Sequence, residues 1–150
     1  MNTIDAGVIK NHAYLAAFDG TLLGPLADAP EIESDNEVSG SFIYENGGKE
    51  EVGQTLLRRT ARITIRTKNI NTALELQKQA VLGSDIAAAE NRKPLKFTPI
   101  TSNAAEKVLT FNAAVLLPDF SYDPGMGGDH IVTLTFTAYP DASGQLFTFE

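Results

Sequence analysis

The residues able to do acid–base or metal chemistry are few, and their spacing matches no reactive pattern. The chain has two histidines, His12 and His130, and no cysteine. Neither histidine accompanies a serine elbow or a Ser/His/Asp order, so nucleophilic hydrolysis has no constellation to work with. Asp119, Asp123, Asp129 and His130 fall along one Gly-rich stretch, where inward-turned carboxylates would suit a hard cation such as calcium. Their spacing is not that of an EF-hand, and a solvated hairpin loop is the simpler reading. Gly125-Met126-Gly127-Gly128 is followed by no Lys-Ser or Lys-Thr and by a strand instead of a helix start, so it is no phosphate cradle. No catalytic, cofactor-binding or metal-binding residue is assigned, and no cofactor is expected.

The charged residues carry a stronger pattern. Arg58, Arg59, Arg62, Arg66 and Lys68 are the one basic concentration, and on a strand their alternate members share a face. No aromatic residues interleave with them to stack bases, which argues against a single-stranded nucleic-acid groove. Acidic segments at Glu31 to Glu37 and Glu50-Glu51 offer the complementary potential. The expectation is that Arg58, Arg62 and Arg66 meet such acids, Glu31 and Glu33 among them, on a neighbouring copy, fixing register and orientation.

The whole composition leans the same way. A chain of 150 residues fits one domain and buries about 70% of its unfolded surface, enough for a core without staples. A net charge of -7 repels duplex phosphates, so sequence-specific nucleic-acid binding is not expected. It would suit a conduit through which nucleic acid slides. The absence of cysteine excludes a disulfide framework and thiolate zinc and is compatible with a reducing cytoplasm. The apolar stretch Ala13 to Phe18 is too short to span a bilayer and lacks a signal-peptide pattern, so no membrane partner is expected.

The elements that position these groups read mainly as strands. Met1 to Asn11 is an arm with no sustained period. His12 to Phe18 and Thr21 to Pro25 form short strands about the turn dipeptide Asp19-Gly20. Ala27 to Glu37, acidic and with no apolar face, reads as a loop. Val38 to Tyr44 and Val52 to Lys68 form a hairpin across Glu45-Asn46-Gly47-Gly48-Lys49-Glu50-Glu51, a loop rich in charge and positive-φ residues. Ala61, Ile63, Ile65 and Thr67 alternate with Arg62, Thr64, Arg66 and Lys68, the period-two signature of a half-buried strand.

The spacing then predicts one helix over Asn71 to Leu82, capped by Asn69 or Asn71 and closed by Gly83, with Ala73, Leu74, Leu76, Ala80 and Val81 facing a sheet. Ser84 to Asn91 adds a short helical turn. Leu95 to Thr98 reads as an edge strand because Pro94 and Pro99 bracket it. Leu109, Phe111, Ala113, Val115 and Leu117 give one core face, and Val132, Leu134, Phe136 and Ala138 another. Between them lies a Gly-rich loop from Leu117 to Asp129. A turn at Asp141 to Gly144 leads to a closing strand over Gln145 to Phe149.

This order of elements resembles the tail tube proteins of bacteriophages, a group that includes the tubes of contractile injection and type VI secretion systems. The segments that carry the likeness are Val108 to Asp123, Gly128 to Asp141 and Leu146 to Phe149. The resemblance implies a single mainly β domain, a β-sandwich or small barrel flanked by one α-helix. It implies subunits that close into hexameric rings and stack into a hollow tube in a virion tail, made in the host bacterial cytoplasm. Duplex DNA would pass through without sequence-specific contact, and other tail proteins would be partners. The arm Met1 to Asn11 and the hairpin residues Glu45, Asn46, Lys49, Glu50 and Glu51 are then the candidates for reaching a neighbour. A head–tail joining or tail terminator ring protein is the nearest alternative. A ligand- or carbohydrate-binding β-sandwich is the alternative of another class, weakened by the absence of Trp and the presence of just 4 Tyr. With no cluster of titratable groups, an enzyme is not expected.

Overall fold

The computed structural model describes residues 14–45, 48–80, 82–100 and 107–150. The arm Met1 to Asn11, the strand start His12-Ala13, Asn46 and Val81 lie outside the described residues. The fold is mostly β. Its strands are β1 (Tyr14–Phe18), β2 (Thr21–Leu22), β3 (Glu31–Glu45), β4 (Gly48–Thr67), β5 (Lys93–Pro99), β6 (Leu109–Pro124), β7 (His130–Tyr139) and β8 (Thr148–Phe149). One helix, α1 (Ile70–Gln77), follows β4, and a 3-10 turn covers Ala89–Asn91.

All strand pairs are antiparallel, in the order β2-β1-β5-β6-β7-β4-β3 with β8 on β6. The stretch after β2 joins the two sides of the sheet. The Leu23 N–H donates to Ala16 of β1 at 2.9 Å, the Ala27 N–H donates to Arg66 of β4 at 2.8 Å, and the Lys68 N–H donates to Pro25 at 2.8 Å. Leu26 makes an isolated bridge to Thr67. The segment is therefore bonded to β1 at one end and β4 at the other, and the sheet curls into a small barrel.

The alternation in β4 and β7 sets the core. Ala61, Ile63, Ile65 and Thr67 of β4 are all buried, and so are Val132, Leu134, Phe136 and Ala138 of β7. Ala61↔Ala138, Ile63↔Phe136 and Ile65↔Leu134 stand opposite each other in register. At the β1–β2 turn Asp19 and Gly20 both take positive φ, 51° and 80°, the geometry whose twist suits a two-residue hairpin.

Several expectations are corrected. Ala27 to Glu37 is not a loop throughout, because Glu31 onward is strand β3, held by its ladder to β4. The hairpin connection is shorter than Glu45 to Glu51: Glu45 ends β3, and Lys49, Glu50 and Glu51 lie within β4. The short prolyl strand is interior, since β5 lies between β1 and β6. It tolerates Pro94 because the ladder to β6 shifts register between Lys93 and Leu95, leaving that position out of the regular bonding.

Helix α1 stops at Gln77, short of Leu82. Its Asn69 cap accepts from the Thr72 N–H, and its buried residues are Ala73 and Gln77. The Gln77 amide donates to the Leu117 carbonyl at 3.1 Å, tying the helix end to β6. Lys78, Gln79 and Ala80 are exposed and Leu82 fully so, so no packing rewards a further turn and Gly83 does not serve as its cap.

β6 runs on to Pro124, so the Gly-rich loop shrinks to the residues between Pro124 and His130. Its core face also changes phase. Three steps on β6, Phe111 to Ala114, match two on β5, Leu95 to Lys93. Such a bulge moves the following side chains to the other face. Phe111 and Ala114 belong to the core cluster, with Leu116 packed against it, whereas Ala113 and Val115 are buried outside that cluster.

Candidate functional site

The feature with most capacity to interact is the outer part of the β3–β4 hairpin. β7 pairs with β4 over Ala61 to Thr67 only, so the rest of β4, back to Gly48, has β3 as its one ladder partner among the described residues. At about 3.3 Å per residue that outer part reaches roughly 40 Å beyond the barrel. Every described side chain in 31–40 and 53–59 is exposed.

Its exposed residues are not all polar. Ile32 is 44% exposed, Val38 51%, Leu56 53% and Leu57 58%. Val38 and Leu56 are Cα partners in the ladder and so share one face. That face continues the core side of the barrel, because Ile32 on the same β3 face pairs with the buried Ile63. Leu57 is the extra residue where the register shifts between Glu37 and Val38. An isolated two-stranded ribbon is marginal in water, and a run of unpaired backbone groups beside apolar side chains is a template for association.

The opposite face of the ribbon is a charge ladder. Glu31 stands across from Thr64, Glu33 from Arg62 and Glu37 from Arg58. Asp35 forms an ion pair with Arg58 at 3.5 Å, and Arg66 pairs with Asp28. The fold thus sets Glu33 and Glu37 opposite Arg62 and Arg58 of their own chain and pairs Asp35 with Arg58. Exposed pairs of this kind contribute at most about 1 kcal/mol each, so they set register more than stability. The positions of Glu45, Lys49, Glu50 and Glu51 are at the far end of the same ribbon. The apolar component at Val38, Leu56 and Leu57 is not marked by the charge pattern, although all three residues interrupt it in the sequence.

At the root of the hairpin two exposed aromatics add a second patch. Phe147 and Phe149 are 42% and 43% exposed. The Arg59 guanidinium stands 5.9 Å from the Phe147 ring centre and the Lys107 ammonium 5.8 Å from that of Phe149. On the barrel flank an open apolar cleft of about 580 Å³ lies among Leu15, Leu22, Pro25, Leu26 and Ile100.

The loop acids do not converge. Asp129 forms an ion pair with Lys68 at 2.9 Å, and His130 Nδ1 shares a hydrogen bond of 2.7 Å with the Tyr122 hydroxyl. Among the described residues no three of His, Asp and Glu gather as metal ligands would. No helix among them is long and apolar enough to cross a membrane.

No protein-family model matches the chain, and no curated protein matches it. Solved structures do. The chain is similar to the tube-terminating cap of the anti-feeding prophage, with a TM-score of 0.62 at 11% identity over 100% of this chain and 95% of that one. It is similar to a structure of the sheath/tube terminator of an extracellular contractile injection system, with a TM-score of 0.59 at 9% identity over 95% of this chain and 96% of that one. It is also similar to the tail of an empty gene transfer agent particle, refined helically with C6 symmetry, with a TM-score of 0.52 at 14% identity over 91% of this chain and 94% of that one. Each likeness spans nearly the whole of both chains, so the shared object is the domain and not a fragment of it. The chain has the phage-tail-tube-like β fold common to these terminator, cap and tail structures.

Proposed function

We propose that this chain is a structural tail protein, a tube subunit that assembles as stacked, hexameric rings around a channel that conducts duplex DNA. The observation that carries the reading is the outer β3–β4 hairpin, whose backbone edges have no strand partner among the described residues and which exposes Val38, Leu56 and Leu57. A ribbon of this kind gains stability from partners that cover it, and heterologous contacts repeated about an axis close into rings. Tail assembly with C6 symmetry in a similar structure supports the six-fold number.

In this reading Glu31, Glu33, Glu45, Asn46, Lys49, Glu50, Glu51, Arg58, Arg62 and Arg66 are the inter-subunit residues, and Met1 to Asn11 reaches an adjacent ring. The protein is made in a host bacterial cytoplasm, ends in the virion tail, meets other tail proteins there and performs no catalysis. The net charge of -7 suits a lumen that does not grip DNA. A second reading, a terminator or joining ring that caps the tube, is favoured by the likeness to a tube terminator and a tube-terminating cap.

Electron microscopy of the purified protein at high concentration separates the readings. A tube subunit forms filaments with a central channel, whereas a terminator stops at single rings. A protein that stays monomeric at every concentration and salt level sinks both.

A further inference from the structure

Away from the hairpin, a cleft of about 410 Å³ opens between the end of α1, the 84–91 connection, the β1–β2 turn and β6. Its volume falls in the range of small-molecule sites, roughly 300–1,000 Å³. Phe18, Leu76, Ile86, Val115 and Leu116 give it apolar walls, whereas Asp19, Asp85 and Glu90 bring carboxylates and Lys93 an ammonium. The three acids are exposed and belong to its mouth. Neither they nor Lys93 form an ion pair among the described residues, so the lining keeps an excess of negative charge.

The wall also holds an unmet acceptor. Gln77 lines the cleft and is 9% exposed. Its amide nitrogen donates to the Leu117 carbonyl at 3.1 Å, which settles the two ends of the amide and leaves Oε1 with no donor among the described residues. A buried acceptor without a donor is costly, so this oxygen calls for an N–H or O–H from whatever fills the cleft. An anion would meet the wrong charge. A bare metal ion would lack ligands, since no three of His, Asp and Glu gather among the described residues. The walls favour methylenes, and the acids and Gln77 favour a cation rich in donors. An ammonium on a straight methylene chain combines both, with three N–H donors at its head and a stem that packs on apolar surface.

We infer that this cleft binds a linear aliphatic ammonium group, either a free alkylamine or the lysine side chain of a partner protein. Its head donates to Gln77 Oε1 in the field of Asp19, Asp85 and Glu90, and its chain lies against Phe18, Leu76 and Leu116. Lys93 opposes it as a resident cation. The inference goes beyond the assembly reading and is independent of it, because binding is counted per chain in rings and monomers alike.

Isothermal titration calorimetry of the full chain at low salt tests it with butylamine, methylamine and Nα-acetyl-lysine amide. Butylamine is expected to bind at one site per chain, at least about tenfold tighter than methylamine because of its additional buried methylenes. Gln77→Met is expected to weaken butylamine about tenfold through the lost charge-assisted bond, and Glu90→Gln about threefold, as befits an exposed charge. Lys93→Gln is expected to tighten it about threefold, a gain that misfolding cannot produce, and thermal melts of each variant confirm the fold. Equal binding of butylamine and methylamine would reduce the effect to diffuse attraction by an acidic chain and overturn the site. Affinity unmoved by both Lys93→Gln and Glu90→Gln would place the amine elsewhere and overturn it too. If Nα-acetyl-lysine amide matches butylamine, the site is assigned to a partner's lysine; if it fails where butylamine binds, to a free amine.

Discussion

The ring of Phe18 on β1 stands 4.9 Å, centre to centre, from the ring of Phe136 on β7, although β5 and β6 lie between those strands in the sheet. Across a flat sheet, three strand steps of about 4.8 Å would hold them roughly 14 Å apart. Their contact is thus a direct measure of how far the sheet curls. It also identifies Phe136, fully buried, as a side chain that holds the two walls of the barrel together.

Phe136→Ala is accordingly expected to cost roughly 3–5 kcal/mol, the range for emptying a buried phenylalanine site. Urea denaturation of the variant and the wild type reads this as a lower midpoint with a similar slope. A loss under 1 kcal/mol would mean that the walls do not meet there.

Thr67 closes the same barrel by polar means. Its buried hydroxyl lies against the carbonyls of Leu23 and Pro25 and accepts from the Asn69 N–H at 3.0 Å. Thr67→Val keeps the shape and strands these partners, a change expected to cost about 1–3 kcal/mol. Hydrogen exchange is expected to quicken at Asn69 and Ala27 before it does in β7. Uniform quickening across the sheet would contradict a local seam.

These two residues show how unevenly the fold is written in the sequence. Thr67 and Phe136 sit on strands whose alternation is plain, because one face is buried and the other is not, and the two-residue period puts both on the core side. Glu31 to Glu37 shows the converse: a strand exposed on both faces has no apolar period, and pairing alone holds it. Phe111 and Ala114 share the core only because a bulge intervenes, and a strict two-residue period cannot foresee one. Helix propensity continues past Gln77 while packing does not. The candidate surface was half legible, its charges in the composition and its apolar exposure only in three dimensions.

Asp141 provides a pH test of the terminal turn. Its carboxyl is held below the usual carboxylate range, chiefly by the Ser143 hydroxyl at 2.7 Å, then by the Gln145 N–H at 3.0 Å, with smaller help from the Ser143 N–H and the Asn112 amide. A lowered folded value means the stabilisation is complete above the unfolded value of about 3.9 and is lost as pH falls through the folded one. The melting temperature of wild type is therefore expected to exceed that of Asp141→Asn by a constant margin above about pH 5, narrowing below about pH 4. A margin that does not change with pH would assign the difference to shape and not to ionisation.

The last expectation separates folding from assembly. Val38 and Leu56 touch solvent in the single chain, so replacing both with threonine keeps β-branched or strand-compatible side chains and removes apolar surface that only a partner covers. Stability of the isolated chain is expected to change by no more than about 0.5 kcal/mol, as for ordinary surface substitutions. Burying the wild-type pair between copies contributes on the order of 2 kcal/mol per contact, and each 1.4 kcal/mol is about tenfold in an association constant. Val38→Thr/Leu56→Thr is therefore expected to need at least about tenfold more protein to self-associate, measured by sedimentation velocity beside a thermal melt. Unaltered assembly with an unaltered melt would show that the exposed stripe faces water in the assembled state as well, and the role of the hairpin would then rest on its backbone edges and charges alone.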